Sequence, residues 1–372
     1  MKTKVNYHFA GEEEIISPQL VYYPGIIREN IDLMIKIAGD KECLWPHIKT
    51  HKMEKVTKLL LSSGITRFKC ATIAECETAA KAGAKELLLA YPLVGPNIGR
   101  FVSLSKSFPD IKIYAIGDDT EQVKKLGACA AADGLRVMLL MDIDTGQHRT
   151  GVVPEKARTL YPVWSRLPGI VLSGFHCYDG HRHESDLEVR NASSRSSDLE
   201  IEALKKELLR DGFSCNVIVM GGTPSFPCHK NFTNEFLSPG TCVIQDAGYR
   251  DAYPDLPFTP GAAILTRVVS RPTEDTFTLD LGTKAVACDP PLPRAEVIGF
   301  EAAETVMQNE EHLVLRVPVA RIPDIPEIGS VLFALPVHVC PTTALYPSVP
   351  AVENGKVVEW WDVTARNRKI TI

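Results

Sequence analysis

RFKCATIAECETAAKAGAKELLLAYP, residues 67–92, carries strand, helix and strand in a single run. RFKCA (67–71) is short and rich in strand formers, whereas in ECETAAKAGA the Ala and Cys positions recur at helical spacing until Gly83 closes the pattern. ELLLAYP (86–92) is then continuously apolar, not alternating, as a strand in a parallel sheet covered on both faces must be. The same unit repeats outward in both directions. Further strand candidates are LVYY (20–23), LWPHI (44–48), KIYAIG (112–117), RVMLLMD (136–142), IVLSGFH (170–176), NVIVMGG (216–222) and CVIQDA (242–247). Their spacing, roughly 20–45 residues, leaves room for one crossover helix each. So many units predict a closed (β/α)8 TIM-type barrel of the α/β class, not an open sheet, with one candidate surplus to eight.

Near residue 258 the character changes. From FTPGAAILTRVVSRPTEDTFTLDLGTKAVA (258–287) onward, hydrophobic residues alternate with turn residues and prolines, and helical periodicity fades apart from a turn around 301–308. The pattern predicts a barrel over residues 16–257 and a C-terminal antiparallel β domain over 258–372, with residues 1–15 packed against the latter.

Composition narrows the function classes. The chain has 372 residues, 45% of them hydrophobic, and a net charge of −5 that marks neither a nucleic-acid binder nor a membrane-surface binder. No apolar run reaches the ~20 residues that span a bilayer, and the polar start MKTKVNYHFAGEEEII lacks the apolar core of a signal peptide. Ten cysteines are scattered without a CxxC pair, which fits reduced thiols in a cytoplasmic protein.

Four segments carry chemistry. In WPHIKTHK (45–52), a strand ending would point His47, Lys49 and His51 to one face at period two, at the barrel end where catalytic groups gather. A lysine turned inward there is costly as an unpaired cation, and forming an imine with an aldehyde cofactor removes that cost; the plainer alternative is an exposed loop lysine. MGGTPSF (220–226) and SPGTCVIQDAGY (238–249) are glycine-bearing turns after late strands. There, consecutive N–H groups and a hydroxyl can cradle a phosphate, although such turns are common. In PVHVCP (336–341), His338 and Cys340 on a strand would face the same way and suit a borderline-soft metal such as zinc, though a lone His-x-Cys is more often structural. Finally, DIDTGQHRTGV (142–152) and GFHCYDGHRH (174–183) each follow a strand; Arg149 can donate to a phenolate and Tyr178 can reach a ring nitrogen, while His181 and His183 read best as a solvated loop.

Together with KCATIAECE, LLLAYPLVGPN and LPVHVCPT, these segments resemble the D-threonine aldolase and D-serine dehydratase family, in order from about residue 16 to the C-terminus. The resemblance implies the alanine-racemase-like barrel of the fold-type III enzymes, with pyridoxal 5′-phosphate as cofactor. It implies that Lys49 is the Schiff-base lysine, with Lys52 the second choice, that Arg149 lies by the phenolic oxygen, and that Tyr178 lies beside the pyridine nitrogen. Gly221, Gly222, Thr223, Gly240 and Thr241 then fall in the phosphate turns, and His338 and Cys340 at the divalent-metal pair. Aldolases of this family tend to carry His-x-Asp there and eukaryotic D-serine dehydratases His-x-Cys, as here, which favours zinc over manganese or magnesium.

The activity so implied is a metal-assisted lyase acting on a β-hydroxy D-amino acid: retro-aldol cleavage to glycine and an aldehyde, or dehydration of D-serine. An amino-acid racemase needs no metal but an acid/base on each face of Cα, and a non-catalytic cofactor carrier would not need the extra β domain. The expected assembly is a homodimer, without nucleic-acid or membrane partners.

Overall fold

The structure is a computed structural model and describes residues 5–230 and 235–372. Its described residues divide into two compact units: a sheet unit of 5–31, 50–52 and 241–366, and a barrel unit of 32–49, 53–230, 235–240 and 367–372. The chain thus changes unit after Ile31, Lys49, Lys52, Gly240 and Arg366, whereas the hydropathy pattern changes at 257/258.

The first strand, β1 (Gln19–Tyr22), belongs to the sheet unit. In the barrel unit, β2 (Arg67–Cys70), β3 (Glu86–Leu89), β4 (Lys112–Gly117), β5 (Val137–Asp142), β6 (Ile170–Cys177), β7 (Val217–Met220) and β8 (Glu235–Leu237) form one parallel sheet in sequential order. Isolated parallel bridges join Leu44 to Leu237 and His47 to Lys69, so segment 44–47 lies between β8 and β2 and closes the ring. Eight staves result, in agreement with the predicted α/β barrel, but the eighth is irregular. Pro46 has no N–H to give to a ladder, and the segment is held by Trp45 N–H to Leu237 O (2.8 Å), His47 N–H to Pro239 O (2.7 Å) and Lys69 N–H to Pro46 O (2.9 Å).

The surplus is also resolved. LVYY pairs antiparallel with a C-terminal strand, and CVIQDA begins in a 3-10 turn at Thr241–Val243. The stave missed from the sequence is β8, whose three residues are too few to show a period.

Between β2 and β3 runs the helix Ile73–Ala82. Thr72 caps it by accepting the Glu75 N–H at 3.1 Å, Glu75 reaches back to the Ala71 N–H at 2.6 Å, and Gly83 ends it at φ 110°. Inside the barrel, Trp45 meets Tyr114 and Phe236 edge-on, with ring centres 5.5 Å and 5.2 Å apart, above Leu88, Leu140 and Val219. Side chains fill the staves' interior and leave the chemistry to their C-terminal ends.

In the sheet unit, β9 (Ala262–Thr273) is the spine. Around it stand β10 (Thr276–Leu279), β11 (Ala295–Val297), β12 (Glu304–Gln308), β13 (Leu313–Arg316), β14 (Val331–Pro336), β15 (Ser348–Glu353) and β16 (Lys356–Asp362). All pairs are antiparallel except β1 with β15, so the predicted antiparallel domain is a mixed sheet: its parallel pair comes from an N-terminal strand assigned by pattern to the barrel. The turn expected around 301–308 is largely the strand β12, since Glu304–Gln308 pairs with β13. Val21, Ala263, Leu265, Phe333 and Val352 form the unit's core. Among the described residues, no helix is long and apolar enough to cross a membrane.

Candidate active site

Lys49 sits in a 3-10 turn, Ile48–Thr50, at the end of the closing stave. The period-two argument for His47, Lys49 and His51 therefore does not hold, because the extended backbone stops before Lys49. The lysine is nevertheless half-buried in the barrel, its Nζ 5.9 Å from the ring centre of Tyr178. Arg149 reaches the same ring from the loop after β5, its Cζ at 5.1 Å. Three of the expected residues thus converge within the barrel unit.

The two glycine turns expected to cradle a phosphate meet as well. Gly240 N–H donates to Thr223 Oγ1 at 3.1 Å, and Gly222 N–H donates to Ser225 Oγ at 3.0 Å. Gly221 takes φ +74°, where a Cβ would be strained and would stand 3.0 Å from His229. A Cβ on Gly240 would lie 2.9 Å from His47 O, and one on Gly222 would lie 3.2 Å from the Tyr178 ring. Backbone conformation calls for glycine at Gly221 and the close His47 carbonyl at Gly240, whereas at Gly222 it is the Tyr178 ring that crowds a Cβ. Thr241 falls in the sheet unit, its Oγ1 3.5 Å from Cys340 Sγ.

Several residues that hold this arrangement were not singled out from the sequence. Beneath the Gly221–Gly222 turn, the buried His229 lies between Asp179 (Nε2 to Oδ2, 2.9 Å) and Asp198 (Nδ1 to Oδ1, 2.6 Å). Burial pulls its pKa down, but the two carboxylates outweigh that and raise it to about 10, so the ring is an imidazolium. Asp179 also accepts Ser225 Oγ–H at 2.7 Å, which ties the charged cluster to the hydroxyl at the Gly222 turn; against the cost of burial, His229 holds its carboxyl below the usual range. On β5 and β6, Asp142 pairs with His176 Nδ1 at 2.7 Å and accepts Thr150 Oγ1–H at 2.9 Å. Burial keeps His176 neutral by lowering its pKa, Asp142 opposing, and its Nε2 has no hydrogen-bond partner among the described residues. The sequence signal was weak: Asp142, His176 and Asp179 stand within quoted segments, but Asp198 and His229 belong to helices with no motif.

Lys69 was missed for a different reason. It is a β2 residue in an apolar-looking strand, 2% exposed, and its Nζ lies 5.1 Å from the Tyr178 ring centre. Burial chiefly, and then the charge of Lys49, bring its pKa down to about 7.

The residues fit pyridoxal 5′-phosphate. Glycine turns that a Cβ would fill, a reachable amine, a guanidinium beside an aromatic ring and the orphaned buried Nε2 of His176 are complementary to a flat anionic aldehyde.

His338 and Cys340 do not lie on a strand. β14 ends at Pro336, and His338 caps the short helix Val339–Leu345, whose third position is Pro341. A proline is tolerated in a first turn, where its missing N–H has no helical partner to lose. The two side chains are neighbours all the same, within hydrogen-bonding range of each other. Thr50 Oγ1, one residue beyond Lys49 and in the same unit as Cys340, stands 3.2 Å from Cys340 Sγ. Asp289 meets His338 Nδ1 at 2.5 Å, and a carboxylate on one ring nitrogen is the usual partner of a metal-binding histidine. Burial lowers the His338 pKa, but Cys340 and Asp289 more than offset this and raise it to about 9. Among the described residues, no group of three or more His, Cys, Asp or Glu side chains is arranged to hold a metal ion. The pair can offer only an open coordination site. None of the ten cysteines is in a disulfide, in line with the reduced thiols expected. His181 and His183 are half-buried and exposed respectively.

Known proteins share this plan. The alanine racemase N-terminal domain matches residues 25–247, and the putative serine dehydratase domain matches residues 261–352. A D-threonine aldolase of Arthrobacter sp is 29% identical over 333 residues, covering 87% of this chain and 85% of that protein. A 3-hydroxy-D-aspartate aldolase of Paracoccus denitrificans (strain Pd 1222) is 27% identical, covering 96% and 94%. Among solved structures, a D-threonine aldolase from Filomicrobium marinum superposes with a TM-score of 0.89 at 24% identity, over 99% of this chain and 100% of that one.

Proposed function

We propose, given that this chain belongs to the family of the alanine racemase N-terminal domain and is a pyridoxal-phosphate-dependent lyase, that it cleaves a β-hydroxy D-amino acid by a retro-aldol reaction to glycine and an aldehyde. The observation that carries this reading is the convergence of Lys49 and Arg149 on the Tyr178 ring beside the Gly222 turn.

Lys49 Nζ would join the cofactor aldehyde. Gly221, Gly222, Thr223, Gly240 and Thr241 would hold its phosphate, Arg149 its phenolic oxygen and Tyr178 its ring nitrogen. When bound, pyridoxal 5′-phosphate supplies an electron sink for the bond broken at Cα. His338 and Cys340 would hold a divalent ion, with zinc favoured by the thiolate over manganese or magnesium, and the ion would supply a Lewis acid. In retro-aldol cleavage a base would take the β-hydroxyl proton, the Cα–Cβ bond would break to release the aldehyde, and Lys49 Nζ would give a proton to Cα, which completes glycine. His229, held charged between two carboxylates, keeps Ser225 and the Gly222 turn in place while this happens.

Cys340 supports a second reading, dehydration of D-serine, in which Lys49 Nζ instead takes the Cα proton as hydroxide leaves. The matched putative serine dehydratase domain, which contains the His338–Cys340 pair, favours it further. An amino-acid racemase fits less well, since it has no use for that pair. The reading includes a cytoplasmic homodimer; ten cysteines scattered without a CxxC pair fit a reducing compartment.

Incubation with a panel of D-amino acids separates the two lyase reactions, with aldehyde plus glycine and 2-oxo acid plus ammonia assayed in parallel. Aldehyde with equimolar glycine supports the aldolase; 2-oxo acid without glycine replaces it with the dehydratase.

A further inference from the structure

Lys69 has no part in the reaction above, and its position is costly. Its backbone is in register with His47, two residues before Lys49, and its side chain points into the barrel from β2. Its Nζ, the Lys49 Nζ and the Arg149 guanidinium surround one ring, at 5.1, 5.9 and 5.1 Å from the centre of Tyr178. Two carboxylates face this group, Asp142 from β5 and Asp179 from the loop after β6, and His176 faces it from β6. Neither carboxylate is at the disposal of Lys69: Asp142 is engaged by His176 and Thr150, and Asp179 by His229 and Ser225. Contact with the face of Tyr178 offsets part of the cost of burying an ammonium and does not neutralise it. Cationic side chains gathered without a carboxylate of their own form a site that an anion completes.

We infer that Lys69 is an anion-pairing residue of the barrel site, whose amine takes up a proton to meet an anionic oxygen of the bound ligand beside the Tyr178 ring. The inference rests on the cofactor reading given above. With its pKa near 7 in the free protein, Lys69 is largely neutral at pH 8, and the incoming anion restores its charge. Two ligands carry such an oxygen: the phenolate of pyridoxal 5′-phosphate and the carboxylate of the amino acid.

The test uses the full chain with Lys69→Met and Lys69→Arg, titrated with pyridoxal 5′-phosphate and then with glycine. Calorimetry in two buffers of different ionisation enthalpy counts protons, and visible absorption follows the bound cofactor across pH. Proton uptake at pH 8 should be present in the wild type and absent from both variants at the same step, because arginine is charged throughout. If the phenolate is the partner, uptake accompanies pyridoxal 5′-phosphate, and the pH midpoint of the visible band moves by at least ~1 unit in Lys69→Met. If the carboxylate is the partner, uptake accompanies glycine, and glycine binding weakens at least ~10-fold in Lys69→Met with the band midpoint unchanged. In both cases Lys69→Arg restores the affected midpoint or affinity, a rescue that a role in packing alone would not give. Wild-type proton uptake, band midpoint and glycine affinity in Lys69→Met overturn the inference. Should Lys69→Met fail to fold, Lys69→Arg decides: uptake equal to the wild type at both steps overturns it. A wild-type chain that develops no visible band at all brings down the cofactor reading itself, a result distinct from these.

Discussion

His229 Nδ1 and Asp198 Oδ1 stand 2.6 Å apart with neither side chain exposed, and a second carboxylate, Asp179, closes on the other ring nitrogen. Substituting Asp198→Asn leaves a buried imidazolium with half its compensation and should cost about 3–5 kcal/mol of stability. Urea unfolding at pH 7 measures it. The sign with pH follows from the raised pKa: the His229 contribution is fully present below pH 6.5 and fades as the pH rises through about 10. Stability falling over that alkaline window in the wild type, and falling less in Asp198→Asn, is the expected pattern.

Borohydride treatment of the cofactor-loaded protein should fix the cofactor on Lys49, and peptide mapping identifies the labelled residue. Label on Lys52 would transfer the assignment to the second choice. Label on Lys69 would place the nucleophile on β2 and leave Lys49 without its role.

Chelation should abolish turnover while the visible absorption of the bound cofactor persists, because ion and cofactor would have separate ligands. His338→Ala should lose activity to the same extent. Cys340→Asp, with a harder ligand, should shift the preferred ion from zinc toward manganese or magnesium. Full activity after exhaustive removal of metal would rule out a metal-assisted lyase.

Two-fold dimers are the commonest closed assembly, and we expect one here. Sedimentation of the active enzyme should give twice the chain mass at assay concentrations; an active monomer contradicts the expectation.

If phosphate, ring nitrogen and phenolic oxygen are held by separate groups as proposed, Lys49 would approach Cα from one face only. The D configuration should therefore be preferred over L by at least ~10²-fold, since a misplacement of about 1 Å costs that much. Assays of the four threonine stereoisomers, or of D- and L-serine if threonine is inert, would show it. Comparable turnover of an L isomer excludes this placement of Lys49.

The barrel was legible because its buried staves are continuous apolar runs: RFKC, ELLL, KIYAIG and VMLLMD read alike and pair alike. LVYY reads the same way, yet pairs with β9, because an apolar run reports burial and not which sheet buries it. Lys49 and the glycine turns stood out by residue type beside strand ends. Lys69, Asp198, His229 and Asp289 did not, since a charged residue in a strand or helix usually faces water, and only the fold shows that the first three are buried against one another's partners or the Tyr178 ring. The placement of His338 and Cys340 on a strand failed on Pro341, which starts a helix as readily as it breaks a strand.

The irregular stave at 44–47 bears on how the chain acquires its site. Ser238 Oγ–H reaches Trp45 O across 193 residues, and in the sheet unit Tyr22 Oη meets Thr343 Oγ1 across 321. Contacts of such long range delay folding, since the entropy of closing the loop is spent before any pairing rewards it. A ribosome must therefore release the chain past residue 240 before the turn that presents Lys49 has a neighbour on its far side. Until then β2 and β7 lack the staves that pair their outer edges in the finished ring, and unpaired edges are where chains associate wrongly.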